Sequence, residues 1–264
     1  MHKSIKTKLL TFLPFVVLYF LFNYLPIEHW VGGNEIIYLS IKLGVYGLSA
    51  AALIYLKHKF HVEIEVPEKQ ISIWWLIPLL FVCFTHPLYA TLFGDGVKLA
   101  EEIEFGVLAF DAGVDIFVSI VEDILFVDLY ISLLMEVFKK HKYKRVLSIF
   151  VAAITFTVAH AYTFIYHEPL EAVVILVTVF FLIVECGYLA IYFDSALIPI
   201  IAHALFNELN FVIFDQIYDV TYSDYRYATF AALMILMAGC YLSTLYRMST
   251  LQKYRPNFHE EVDE

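Results

Sequence analysis

Eight long apolar runs constrain this chain more than any other feature. Stretches near the roughly 20 residues that cross a bilayer as a helix fall at about 9–25, 36–56, 72–93, 112–138, 146–166, 170–193, 196–214 and 227–247. The composition agrees, with 61% of the 264 residues hydrophobic and 17% charged, against roughly 45–50% and 25% in soluble domains. In lipid every backbone N–H and C=O must be satisfied within a helix or a closed barrel, and these runs are too long and continuous for barrel strands. The expectation is an all-α polytopic membrane bundle of about eight helices, forming a single integral membrane domain over 1–264. No Gly/Ser-rich linker or internal repeat divides it. A soluble enzyme and a disordered chain are excluded. The net charge of −10 leaves no basic footprint for nucleic acid.

Charge sets the expected topology. With a cytoplasmic N-terminus, the cytoplasmic segments hold Lys3, Lys6, Lys8, Lys57, Lys59, Lys69, Lys139, Lys140, Lys142, Lys144, Arg145, Arg247, Lys253 and Arg255. Only Lys98 and Arg226 lie on the other side, with Lys42 inside the second run. That asymmetry is a positive-inside pattern and puts both termini in the cytoplasm. The opposite loops are acidic, through Asp95, Glu101, Glu102, Glu168, Asp215, Asp219 and Asp224. The basic stretch Lys139–Arg145 is read as a topology determinant touching anionic lipid headgroups. The first run follows three lysines, like a secretory signal, but it is long and no small-residue cleavage site follows, so an uncleaved span is expected. Cys83, Cys186 and Cys240 sit in apolar runs without metal-ligand spacing and read as buried small hydrophobes.

Function should lie among the polar groups inside the spans, because an ionisable side chain at bilayer depth costs roughly 2.5–3.5 kcal/mol or more. The fourth run carries Asp111, Asp115, Glu122, Asp123 and Asp128; the fifth His160; the sixth Glu185; the seventh His203, Asn207, Glu208 and Asn210. Asp111 and Asp115 are read as facing interfacial water, and Glu208 and Asn210 as packing or interfacial groups. Glu185 either approaches the site or bonds a neighbouring helix. His86, between Thr85 and Pro87, marks a break near the outer surface.

Three segments form a chemical set. Glu122-Asp123 opens the stretch EDILFV, FTVAH runs from Phe156 to His160, and HALFN places His203 and Asn207 at i and i+4 on one helix face. A carboxylate and a histidine sharing a water can deprotonate it. A second His and an Asn can donate hydrogen bonds to the oxyanion of a tetrahedral intermediate.

In this order, on successive helices, the three segments resemble the CPBP (ABI) family of intramembrane proteases, whose motifs read EExxxR, FxxxH and HxxxN. That family includes the type II CAAX prenyl proteases and bacteriocin-processing proteins. Tyr192-Phe193-Asp194-Ser195-Ala196-Leu197-Ile198-Pro199 is similar to its lead-in to the last motif. The resemblance covers roughly 112–214. It implies Glu122 and His160 as the pair that activates water, His203 and Asn207 as the oxyanion pair, and supporting places for Asp123 and Phe156; Glu185, where it approaches the site, joins that supporting set. It implies no metal or other cofactor. The implied activity is a glutamate-dependent intramembrane endopeptidase acting on a membrane-associated peptide or protein, prenylated or leader-bearing, in a bacterial cytoplasmic membrane.

Val127 stands where the family has Arg, and Asp128 where a small residue is usual. Adjacent carboxylates in an apolar helix repel each other and lose hydration. With no Lys or Arg inside spans four to eight apart from Arg247 at the cytoplasmic end of the last, at least one of Glu122 and Asp123 is expected to hold a proton at neutral pH. The departure also motivates an alternative, a non-catalytic family member that scaffolds a partner or serves in immunity. Two further readings are a zinc protease using Glu122, His160 and His203, and a proton-coupled transporter, which the absence of inverted repeats disfavours. At about 1.5 Å per residue, Glu122 and His160 lie roughly 24 and 21 Å from the cytoplasmic ends of their helices. His203 lies only about 10 Å from a start at Ala196. The seventh helix must therefore begin deep or follow a re-entrant connection at Asp194-Ser195, for which Pro199 permits a break.

Overall fold

The structure is a computed structural model and describes residues 5–25, 27–59, 94–99, 105–166, 169–193, 195–209 and 218–222. It is a helical bundle, as the apolar runs lead one to expect. Helix α1 spans Ile5–Tyr24 and is followed by one helical turn, Ile27–Trp30. Gly32 and Gly33, with φ of 71° and 72°, then reverse the chain, a conformation that glycine adopts without steric penalty. Helix α2, Glu35–Lys59, starts where Asn34 Oδ1 accepts the Ile37 N–H at 3.0 Å, satisfying one of the donors a helix start leaves open.

The fourth run is one continuous rod in three parts: α3 (Phe105–Glu122), a π-helical segment (Asp123–Tyr130) and α4 (Ile131–Val137). Helix α5 spans Lys144–Ala159 and is followed by a helical turn at Thr163–Tyr166. Helix α6 spans Pro169–Phe193 and α7 spans Leu197–Asn207. Two connections outside these helices pair as an antiparallel ribbon of β1 (Gly94–Leu99) and β2 (Tyr218–Tyr222). Gly94 faces Tyr222 and Gly96 faces Thr221, so the register skips Asp95. The apolar pattern carries no signal for this ribbon, which pairs backbone groups that the helices leave out.

Helix α6 is the axis of the bundle and packs on both α5 and α7, while α7 crosses α3 and α2 lies along α3. The main core joins Leu182, Ile183 and Leu189 of α6 to Ile149, Ala152 and Phe156 of α5 and Ile124 of the π segment. The outward faces are apolar as well: Leu13, Leu48, Ile54, Val158, Ile201 and Leu205 are all exposed. Apolar surface of that extent suits lipid rather than water. Glu35–Lys57, Lys144–Ile165 and Ile175–Phe193 are each long and apolar enough to cross a membrane, and the protein is an integral membrane protein. Phe12–Tyr24 and Leu197–Asn207 are apolar but shorter. The runs expected at 72–93 and 227–247 lie outside the described residues, as do His86, Asn210, Cys83 and Cys240. Cys186 is buried and forms no disulfide among the described residues.

The depth mismatch of the seventh run is settled by where α7 begins. Ser195 and Ala196 are buried, so the helix starts inside the protein rather than at its surface. Ser195 Oγ accepts the Leu197 N–H at 3.2 Å and satisfies part of that buried start. The break lies at Ser195-Ala196. Pro199 sits in the first turn of α7, where its missing N–H removes no intrahelical bond.

Candidate active site

Glu122 and Asp123 fall at the junction of α3 and the π segment. In a regular α-helix neighbouring side chains diverge by about 100°, yet both are enclosed here, at 3% and 0% exposure. The change of helical pitch at Asp123 is the local device that goes with this, and π segments are frequent at functional sites. His203, on α7, lies between the two acids: Nδ1 is 3.2 Å from Asp123 Oδ1, and Nε2 is 3.4 Å from Glu122 Oε2. A proton on Nδ1 donates to Asp123, and a second on Nε2 would donate to Glu122. The imidazole therefore offers a second seat for the proton expected on one of the two acids.

His160 closes the other side of Glu122. It is the C-cap of α5, with φ −90° and ψ 7°, where its backbone N–H is shared between the carbonyls of Phe156 and Thr157 at 3.1 Å each. The fifth run is thus interrupted at its histidine. Nδ1 lies 2.9 Å from the Phe156 carbonyl oxygen, which can only accept, so Nδ1 carries the proton and Nε2 of the neutral ring presents a lone pair. Nε2 stands 3.6 Å from Glu122 Oε1. That is too long for a direct hydrogen bond and short enough for one water to bond both groups. The Phe156 ring lies 4.3 Å from the His160 ring, centroid to centroid, and meets His203 edge-on at 6.1 Å. It is a buried apolar wall between the two histidines.

Asn207 donates from Nδ2 to Ser119 Oγ at 3.1 Å, and Ser119 donates to the Asp115 carbonyl at 2.8 Å. The carboxamide is thereby pinned to α3 one turn before Glu122, with its second N–H left for another acceptor. Glu185 is buried on α6 beside Cys186, whose Sγ approaches the Pro199 carbonyl at 3.8 Å. Asp111 and Asp115 are half-buried on α3, and Glu208 is half-buried just beyond α7. Among the described residues no three His, Cys, Asp or Glu side chains are grouped so as to hold a metal ion.

Three residues of this region were not singled out from the sequence. Ser119 had a weak signal, since it lies three residues before Glu122 on the same helix. Tyr19, whose hydroxyl lies 3.3 Å from His160 Nε2, had none, because the contact spans 141 positions. Lys57 had none as a partner of the fourth run: it is buried and its Nζ lies 2.6 Å from Asp128 Oδ2, while Val127 packs into the core. Read along one helix at a time, the sequence does not show a cation arriving from a different one.

The fold and the site define a helical integral membrane protein with a buried Glu–His–His–Asn set drawn from three helices. The family model "Type II CAAX prenyl endopeptidase Rce1-like" matches residues 70–209, more than half of the chain. The chain belongs to this protease family, within the CPBP group that its three motifs resemble. The match begins well upstream of residue 112 and takes in the third apolar run, and it contains Glu122, Asp123, His160, His203 and Asn207. No curated protein and no solved structure matches the chain.

Proposed function

We propose that the protein is a glutamate-dependent intramembrane endopeptidase. The reading is carried by one observation: Glu122 is enclosed between two histidines from other helices, with His160 Nε2 near enough for one water to bond both groups. Water held by Glu122 and His160 Nε2 attacks the carbonyl carbon of a peptide bond, and its proton passes to Glu122. His203 and Asn207 donate to the resulting oxyanion. As the C–N bond breaks, the proton on Glu122 moves to the departing amine, leaving a free carboxylate on the other product. Phe156 excludes bulk water from this set, which strengthens each electrostatic contact within it.

The substrate in this reading is a membrane-associated peptide or protein, prenylated or leader-bearing. In the same reading the protein sits in a bacterial cytoplasmic membrane with about eight spans, and the lysine and arginine asymmetry supports cytoplasmic termini. The reaction needs no metal. A second reading, a non-catalytic scaffold or immunity protein, is favoured by one feature, the valine at 127 in the arginine place of the first motif.

Comparative proteomics of membrane-anchored peptides separates the two. Cells with the wild-type protein are set against cells with Glu122→Ala or His160→Ala at matched abundance. A peptide that stays uncut in both variants supports the protease. A phenotype that survives both substitutions, with no peptide changed, supports the scaffold. Metal analysis of the purified protein is expected to find zinc well below one equivalent.

A further inference from the structure

Helix α1 lies outside the matched segment 70–209, yet it reaches the end of α5 at two points. Tyr19 Oη is 3.3 Å from His160 Nε2, and the same hydroxyl faces the Glu122 carboxylate. Tyr24, five residues on, donates from Oη to the Ala159 carbonyl at 3.1 Å, one of the acceptors that the end of α5 leaves open. Its ring meets Tyr162 edge-on at 5.5 Å. Asn23, between them, donates to the Tyr19 carbonyl at 3.0 Å and to Tyr46 Oη of α2 at 3.3 Å, which ties this part of α1 to α2. Tyr19 is 1% exposed, and its ring packs edge-on against Phe126 of the π segment at 5.8 Å.

The direction of the Tyr19 bond follows from the ring opposite. His160 Nδ1 is committed as a donor to the Phe156 carbonyl, so Nε2 of the neutral imidazole can only accept, and the tyrosine hydroxyl donates to it. The hydroxyl has one proton and two acceptors within reach, Nε2 and the Glu122 carboxylate. Those are the two groups between which a nucleophilic water would sit.

We infer that Tyr19 is a positioning residue of the site, holding the His160 ring through Nε2 and forming, with α1, one wall of the water position. Tyr19 keeps its own proton throughout: when water enters, the hydroxyl turns from Nε2 toward the water oxygen, and the proton that moves is the water's, to Glu122. The inference deepens the protease reading and rests on it for its kinetic consequence, while the Tyr19–His160 bond is measurable without any substrate.

The test is Tyr19→Phe, which removes one oxygen and keeps the ring that packs on Phe126. Protein labelled with ¹⁵N-histidine in lipid nanodiscs reports the ring nitrogens of His160, assigned by the peak lost in His160→Gln. The Nε2 resonance is expected to move downfield in Tyr19→Phe, toward an acceptor without a donor, and to stay in place in Tyr24→Phe. On a peptide substrate found by the proteomic comparison, kcat is expected to fall about 10–100-fold, with KM within about twofold of wild type. An unchanged Nε2 resonance or an unchanged kcat in Tyr19→Phe overturns the inference. If the wild type cleaves nothing, the protease reading fails by itself, and the Nε2 shift still decides whether α1 holds His160.

Discussion

Lys57 Nζ and Asp128 Oδ2 meet at 2.6 Å, joining the last turns of α2 to the middle of the π segment, with the lysine side chain 2% and the aspartate 18% exposed. A buried ion pair adds little net stability over an apolar pair of the same shape, because both charges lose their hydration. Removing one partner is costly, because the other charge stays behind. The pair also lies one helical turn beyond the acids of the site, so it fixes α2 against the segment that presents them.

Lys57→Met is therefore expected to destabilise the protein by about 3 kcal/mol. Lys57→Met with Asp128→Leu is expected to recover most of that loss. Denaturant unfolding in detergent across the double-mutant cycle checks it, and additive single effects would mean that the two charges are independent.

Among the described residues Asp123 reaches the reaction through His203 Nδ1. Asp123→Asn keeps an oxygen that accepts from Nδ1 but removes the charge opposite the imidazole. It is expected to lower kcat by about 100-fold, the scale of a weakened oxyanion donor, with little change in KM. The same variant locates the shared proton. If a carboxyl group holds it, a carbonyl-region infrared band disappears or moves in Asp123→Asn or Glu122→Gln; if His203 holds it, both spectra show carboxylate bands alone.

Ser119 anchors the Asn207 carboxamide and is fully buried. Ser119→Ala removes that acceptor and is expected to cost about 1 kcal/mol of stability and about tenfold in kcat. Ser119→Thr, which restores a hydroxyl, is expected to recover part of the activity. Equal kcat for wild type and Ser119→Ala would show that Asn207 needs no such anchor.

At Gly187 helix α6 lies close against α4 and α5. A Cβ there would lie 2.8 Å from Ile131 Cδ1 and 3.2 Å from two carbons of Ile149. Gly187→Val overfills this contact two residues from Glu185, at an expected cost of about 1–3 kcal/mol. A melting temperature equal to wild type would contradict that packing.

The helical architecture was legible because lipid leaves few alternatives: twenty apolar residues in a row have to close their own backbone hydrogen bonds. The candidate set Glu122, His160, His203 and Asn207 was legible for the same reason, since a polar group at bilayer depth is too costly to be incidental. The i, i+4 pairing of His203 and Asn207 needed only helical geometry. The sequence by itself could place these groups on their helices, and it could require that α7 begin deep.

The tertiary structure decided everything that depends on one helix meeting another. The π turn at Asp123, the capping position of His160, the anchoring of Asn207 by Ser119, and the arrivals of Lys57 and Tyr19 all belong to this class. Each joins residues far apart in the chain, or replaces an i→i−4 bond under pressure from packing. Periodicity reports only which face of a helix is apolar, and carries no record of which helix lies opposite. The apolar runs determined that the chain is built from membrane helices with costly polar groups inside, and the packing of those helices decided which polar groups meet around Glu122.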